Sequence, residues 1–129
     1  LSEKLLFPSG SAAVEPKGKE ALGQLATVMT GSPDISMMVE GHTDNVPINK
    51  GRFSDNWDLS TARATSIVRI LQGAGLDPQR VTAAGRGEFV PVADNASPEG
   101  RQRNRRTEII LIPKLDELYD ALGGTGAKQ

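Results

Sequence analysis

Cysteine is absent from the sequence, which removes both a disulfide framework and a thiolate metal site and leaves the redox compartment unread, since cytoplasm and periplasm fit equally. Charge of one sign is also lacking. Lys and Arg number 15 against 16 Asp and Glu, a net charge of -1, so a general polyanion binder acting through a basic surface is excluded and any charge effect must be local. Aromatic residues make up only 4% of the chain, too few for the stacking platforms that single-stranded nucleic acid requires. No apolar run approaches the ~20 residues that cross a bilayer, and Leu1-Ser2-Glu3-Lys4 is not a secretory signal. An initiator methionine is missing as well. The chain therefore reads as an excised or processed domain, with room upstream for a signal, a lipid anchor or a membrane segment.

What is present suits one domain: 129 residues with 37% hydrophobic content can bury a core without staples. Leu5-Leu6-Phe7, stopped by Pro8-Ser9-Gly10-Ser11, reads as a short edge strand. Pro16 pre-sets a first helical turn, and Gly18, Ala21, Leu22, Leu25, Val28 and Met29 recur at helical spacing until Gly31-Ser32-Pro33. Ile35, Met37 and Val39 alternate with Ser36, Met38 and Glu40, the period of a strand with one buried face, and Gly41 ends it. Residues 46–55 form a loop anchored by Ile48 and Phe53, with Trp57 pinning it. A second long helix, capped by Asp58 or Ser60, turns Leu59, Ala62, Ile67, Ile70 and Leu71 inward as far as Gly73.

A short strand over 81–85 follows, and then a stretch over 86–104 that is too long for plain loop and is expected to be functional or partly helical. Thr107, Ile109 and Leu111 alternate with Glu108, Ile110 and Ile112, which predicts a central strand covered on both sides and ended by Pro113. Leu115, Leu118, Tyr119 and Leu122 give a last amphipathic helix before a glycine-rich tail. The expected fold is an α+β, βαβαββ two-layer sandwich, with two long helices on one face of a four-stranded sheet and an extra C-terminal helix. Residues 1–113 form the domain and 114–129 the helix and tail.

The chemistry concentrates where the second strand ends, Gly41-His42-Thr43-Asp44-Asn45, and where the second long helix begins, Asn56-Trp57-Asp58-Leu59-Ser60-Thr61-Ala62-Arg63-Ala64. If the two meet, a carboxylate and a guanidinium face one volume near unpaired helix N–H groups, which suits a ligand carrying both signs of charge. A cation near a helix start is unfavourable by about 0.3 to 1 kcal/mol when exposed. Arg63 thus breaks a local rule without evident structural gain. On spacing alone, Asp44 and Arg63 read equally as a structural ion pair; the small and polar neighbours Gly41, Thr43 and Asn45 favour the ligand site.

Other constellations have plainer explanations. His42 could join Asp44 and a serine in a hydrolase triad, but no Gly-x-Ser-x-Gly elbow accompanies it. Asp55, Asn56 and Asp58 lack the spacing and closing Glu of a calcium loop and suit helix capping. No metal or cofactor is implied. Gly85-Arg86-Gly87 is a turn, and the cations from Arg101 to Arg106 are a solvated face from which one or two arginines could turn toward Asp44.

Four ordered motifs, Val39-Glu40-Gly41-His42-Thr43-Asp44-Asn45, Leu59-Ser60-Thr61-Ala62-Arg63-Ala64, Gly85-Arg86-Gly87-Glu88 and Asn104-Arg105-Arg106-Thr107-Glu108-Ile109, are similar to those of the OmpA-like peptidoglycan-binding domain of outer-membrane proteins, Pal lipoproteins and flagellar stator proteins. The resemblance covers about residues 5–112. It implies a mixed sheet in the order 1-4-2-3 and a periplasmic module that grips the cell wall noncovalently. It also implies that Asp44 holds the ammonium of a diaminopimelate stem residue and Arg63 its carboxylate, with Asn56 and Arg105 as secondary contacts and Thr43, Asn45, Leu59 and Ser60 shaping the wall of the cleft. The expected partner is peptidoglycan, with attachment to the outer membrane of a Gram-negative bacterium through an upstream anchor and room for a protein partner or a dimer. The 46–55 loop looks more like the stator branch, and the 114–122 helix lies outside the family core. Three classes follow: a binding module, a stator-type anchoring module, and a wall hydrolase acting through His42.

Overall fold

A computed structural model describes residues 1–48, 51–114 and 121–123. Helix α1 (Glu3–Leu6) is a single turn, followed by α2 (Pro16–Thr30), strand β1 (Ile35–His42), α3 (Asn56–Gly73), a 3₁₀ turn at Pro78–Arg80, β2 (Val81–Gly85), α4 (Pro98–Asn104) and β3 (Arg106–Pro113). The fold is α+β. Its sheet has three strands in the order β2-β1-β3, with β1 parallel to β2 and antiparallel to β3.

The long helices form for the reasons their sequences suggest. Pro16 occupies the first turn of α2, where its missing N–H is not needed, and Gly18, Leu22, Ala26 and Met29 face inward at intervals of four and three. Val28, expected inside, is exposed. In α3 the buried set is Leu59, Ala64, Ile67 and Leu71. These two faces meet Leu6, Phe7, Met37 and Val39 in one continuous core. Helix α3 lies so close to the sheet that a Cβ on Gly41 would overlap the Ser60 carbonyl, and one on Gly85 would overlap Thr61. Glycine at these two strand ends is a packing requirement.

Three expectations need correction. The run Leu5-Leu6-Phe7 is not an edge strand: it closes the one-turn helix α1, and only Ser2 bridges to Arg106 on that side of the sheet. An apolar run this short has no periodicity of its own, and here burial of Leu6 and Phe7 and the bonding of Glu3 fix the turn. The described sheet accordingly has three strands rather than four, ordered as the last three of the expected arrangement. Second, β3 is not central: among the described residues its one full ladder is with β1, its other side is paired only at its start by Leu1 to Glu3, and Leu111 is exposed; its alternating isoleucines are half-buried on both sides. Third, the cap of α3 is Asp55, whose carboxylate accepts the Asp58 N–H at 2.9 Å. The expected last helix lies mostly outside the described residues.

The long stretch before β3 is organised by one side chain. Asn104 is fully buried; its Oδ1 accepts the N–H groups of Val92 and Ala93 at 2.8 and 3.0 Å, and its Nδ2 donates to the Ala93 carbonyl and to Asn95 Oδ1 at 2.9 and 2.8 Å. Removing it strands two backbone donors away from water. Asn104→Ala is expected to lower the unfolding free energy by about 2 to 4 kcal/mol, read from urea titrations of both proteins; a loss below about 1 kcal/mol would show that the 88–97 segment is held by other contacts.

Candidate functional site

At the end of β1 the backbone turns out of the sheet, and Thr43 N–H donates to the Gly87 carbonyl while Arg86 N–H donates to the Gly41 carbonyl. That turn is possible because Gly87 takes a φ of 58°. Its amide donates in turn to Ser60 Oγ at 3.0 Å. The strand end, the 85–87 turn and the first turns of α3 are thereby locked together. Asp44 caps its own turn, with Oδ1 accepting the Val46 N–H at 3.0 Å. Asn56, buried at the start of α3, donates its Nδ2 to the carbonyls of Asp44 and Val46 at 3.3 and 3.1 Å.

A cavity of about 670 Å³ opens beside this junction, and Thr43, Asp44, Asn56, Leu59, Arg63 and Arg105 line it. Asn45 and Ser60 do not. Asn45 is exposed and Ser60 is sealed between α3 and the 85–87 turn. Six of the eight expected site residues thus share one cavity.

The pairing within it differs from the expected one. Asp44 Oδ2 accepts from Arg105 Nη1 at 2.6 Å. Arg63 is committed elsewhere: Nη1 donates to Glu3 Oε2 at 2.8 Å, Nε to the Ser11 carbonyl at 2.7 Å and Nη2 to the Pro8 carbonyl at 3.2 Å. Its guanidinium also lies 4.7 Å from the centre of the Phe7 ring. Glu3 joins the two halves, because its other oxygen accepts from Arg105 Nε at 3.1 Å. A chain of four charges therefore runs Asp44, Arg105, Glu3, Arg63. Burial, followed by the neighbouring Arg105 charge, lowers the Arg63 pKa from its ordinary value, and the Glu3 carboxylate opposes that shift.

Since α3 begins at Asn56, Arg63 is two turns inside the helix rather than at its positive end. The dipole conflict expected there is absent. Glu3 was missed by sequence reasoning. A lone acid upstream of the run read as an edge strand gives no signal until two guanidiniums, one buried and one half-buried, are known to need a counter-charge. Gln102, whose Oε1 accepts from Arg105 Nη2 at 2.8 Å, was missed for the same reason. Of the basic run, Arg101 and Arg105 line the cavity, while Arg106 turns away to Glu108 and the Val90 carbonyl.

His42 does not line this cavity. On the sheet face opposite the core it is buried, with Nε2 2.7 Å from Glu40 Oε1, and it approaches Glu108 rather than a serine. That contact places a proton on Nε2, and Nδ1 is buried without a partner. One oxygen or nitrogen from each of Glu40, His42 and Glu108 lies within 4.8 Å of the others. Arg106 already donates Nε to Glu108 Oε2 at 2.7 Å, so a guanidinium supplies the positive charge that a metal ion would bring.

A family model described as the OmpA family matches residues 6–105. Motility protein B of Bacillus subtilis is 33% identical over 115 residues, 88% of this chain and 44% of that protein. Among solved structures, a MotB-like protein of Desulfovibrio vulgaris superposes with a TM-score of 0.83 at 34% identity, covering 88% of this chain and 73% of that one. The cell wall anchor of the T6SS from Pseudomonas aeruginosa gives a TM-score of 0.80 at 40% identity, covering 88% and 78%. The chain spans less than half of the Bacillus protein.

Burial, followed by the Arg106 charge, holds the His42 pKa below the ordinary 6.5 despite the Glu40 contact that raises it. Below about 6.5 the unfolded chain then takes up a proton that the folded chain refuses, so folded stability falls with pH until the lowered folded pKa is reached. The bond from Arg106 lowers the Glu108 carboxyl from its ordinary 4.5, and the stability it brings is lost only at more acid pH. Urea unfolding of the wild type and His42→Gln across about pH 5 to 7 is expected to show a shallower slope in the variant; equal slopes would mean that His42 is protonated as easily folded as unfolded.

Proposed function

The chain belongs to the OmpA family, and on that premise we propose that it is a noncovalent peptidoglycan-binding module that ties an envelope protein to the cell wall. The observation that carries this reading is the charge chain of Asp44, Arg105, Glu3 and Arg63, buried at its two ends, beside an open cavity. A diaminopimelate side chain ends in a zwitterion, an ammonium and a carboxylate on one carbon. Its ammonium would donate to Asp44 and its carboxylate would accept from Arg63, with Arg105 and Asn56 as further contacts and Thr43 and Leu59 as the walls.

Binding on these terms is an exchange of partners. The ligand carboxylate competes with Glu3 for guanidinium donors, and the ammonium competes with Arg105 for Asp44. Each charge-assisted hydrogen bond contributes roughly 1.5 to 3 kcal/mol net, so two or three give millimolar to micromolar affinity at one site. A polymer that repeats the ligand, met by a protein held near it, raises the effective concentration and makes that affinity sufficient.

Similarity to motility protein B and to a cell wall anchor supports an anchoring role over a hydrolytic one. The same similarity favours a stator-type periplasmic module as the second reading. Attachment to the outer membrane of a Gram-negative bacterium is the first, and the segment upstream of this domain would distinguish them.

Co-sedimentation with purified sacculi tests the site. Asp44→Ala and Arg63→Lys, each checked for native circular dichroism, are expected to reduce the bound fraction about tenfold, the effect of losing one charge-assisted contact. Undiminished co-sedimentation of both folded variants would overturn the assignment.

A further inference from the structure

Glu3 stands ahead of the stretch that the family model matches, residues 6–105, yet its side chain, 10% exposed, lines the charged cavity. It is fixed there by the main chain. Its N–H donates to the Arg105 carbonyl at 3.1 Å, its carbonyl accepts the Phe7 N–H at 2.8 Å, and the buried Leu6 and Phe7 hold the turn from the other end. A ligand entering the cavity therefore meets Glu3 and cannot push it out.

One acid would be enough to neutralise the buried Arg63, and Asp44 already lines the same cavity. The second acid bears on the ligand. With Glu3 present the inner group holds two acids, Asp44 and Glu3, against two bases, Arg63 and Arg105, so its charges cancel. Outside that group the lining is positive: Lys4 is exposed, and Arg101 donates to the Asn95 carbonyl at 3.0 Å rather than to an acid. A positive mouth attracts carboxylates of every kind. Selection among them falls to the inner charges.

Spare donors are available for a carboxylate that enters. Of the five N–H groups of a guanidinium, Arg63 engages three, with Glu3, Ser11 and Pro8, and Arg105 three, with Glu3, Asp44 and Gln102. A lone carboxylate placed on the spare donors adds a third anion next to Glu3 and Asp44, and a lone ammonium on Asp44 adds a third cation next to Arg63 and Arg105, where burial weakens screening by water. A zwitterion adds neither. Its ammonium on Asp44 and its carboxylate on Arg63 leave Glu3 and Arg105 paired with each other, and every charge keeps an opposite neighbour.

We propose that Glu3 is a specificity-determining residue: by cancelling the second guanidinium it makes the cleft select a zwitterionic amino-acid end over ends that carry a carboxylate or an ammonium alone. The inference rests on the peptidoglycan reading and deepens it, since it assigns the choice of ligand charge to a residue that the binding contacts themselves do not require.

Three forms of one stem peptide serve as probes in calorimetry with the full chain: one ending in unmodified diaminopimelate, one with that ammonium acetylated and one with that carboxylate amidated. The wild type is expected to bind the unmodified form about tenfold more tightly than either of the others, the effect of one charge-assisted contact. Glu3→Gln, which keeps the volume and one acceptor oxygen, leaves one acid against two bases; its preference for the unmodified over the acetylated form should fall about tenfold, to near equality, while its preference over the amidated form widens. Arg105→Gln leaves two acids against one base and should shift both preferences the opposite way, and the double variant should return the wild-type order. Each variant is checked for native circular dichroism, and should Glu3→Gln not fold, the relative gain of the amidated form in Arg105→Gln decides. Equal weakening of all three forms in Glu3→Gln, the mark of a merely structural acid, or preferences unchanged in the single variants, would overturn the proposal while leaving peptide binding intact. No binding of the unmodified form by the wild type would remove the peptidoglycan reading as well.

Discussion

Two guanidiniums brought together in a largely buried place must be neutralised, and the arrangement around the cavity follows from that requirement. An uncompensated charge of this kind would be several kcal/mol unfavourable. Glu3 resolves it by bridging Arg63 and Arg105, with Asp44 closing the far end. The position of Glu3 is itself dictated by backbone pairing: its N–H donates to the Arg105 carbonyl at 3.1 Å, and the Thr107 N–H donates to the Leu1 carbonyl at 2.8 Å. The same short ladder that places the acid thus places one of the bases it serves. Residues from opposite ends of the described chain are fixed against each other by main-chain bonds before any side chain is considered.

The second constraint is the spacing between β1, β2 and α3. Glycine at 41 and 85 lets the helix approach the strand ends closely, and Ser60, fully buried there, fastens the 85–87 turn through the Gly87 amide. Ser60 is therefore a support for the site and not part of its surface. The same approach brings Asn56 within reach of the carbonyls of Asp44 and Val46. Asp44 is held from three directions, by its own Asx turn, by Asn56 and by Arg105. Its carboxylate is presented in a fixed orientation, which limits the ordering entropy that a ligand must offset.

Sequence alone made the helices and strands with a strong period legible. The spacing of Leu22 and Met29, or of Ile67 and Leu71, marks the buried helical face, although Ala26 joins it unforeseen and Val28 does not, and Met37 and Val39 mark one strand face. That Asp44 and Arg63 line one cavity was expected only on the condition that the strand end and the helix meet, since consecutive elements are often but not always neighbours. What was hidden depended on tertiary partners. Leu5-Leu6-Phe7 is too short to declare its own conformation, and its helical turn is set by contacts with residues about 60 and 100 positions away. That an arginine of the 101–106 run could turn toward Asp44 was legible, but not that Arg105 takes Asp44 while Arg63 takes Glu3: side chains as long as arginine choose acceptors by three-dimensional reach, on which linear spacing is silent.

Partner exchange also bears on why such a site is tuned for reversible contact. In the free protein each charged group already has a partner of the kind the proposed ligand would supply, a carboxylate on Arg63 and a guanidinium on Asp44. The groups are therefore oriented and partly dehydrated in advance, which favours rapid binding without a large rearrangement. For the same reason the ligand gains only the difference between its own contacts and those it displaces. On the proposed reading a single engagement would stay modest, and firm attachment would come from many repeats of the ligand near a tethered protein.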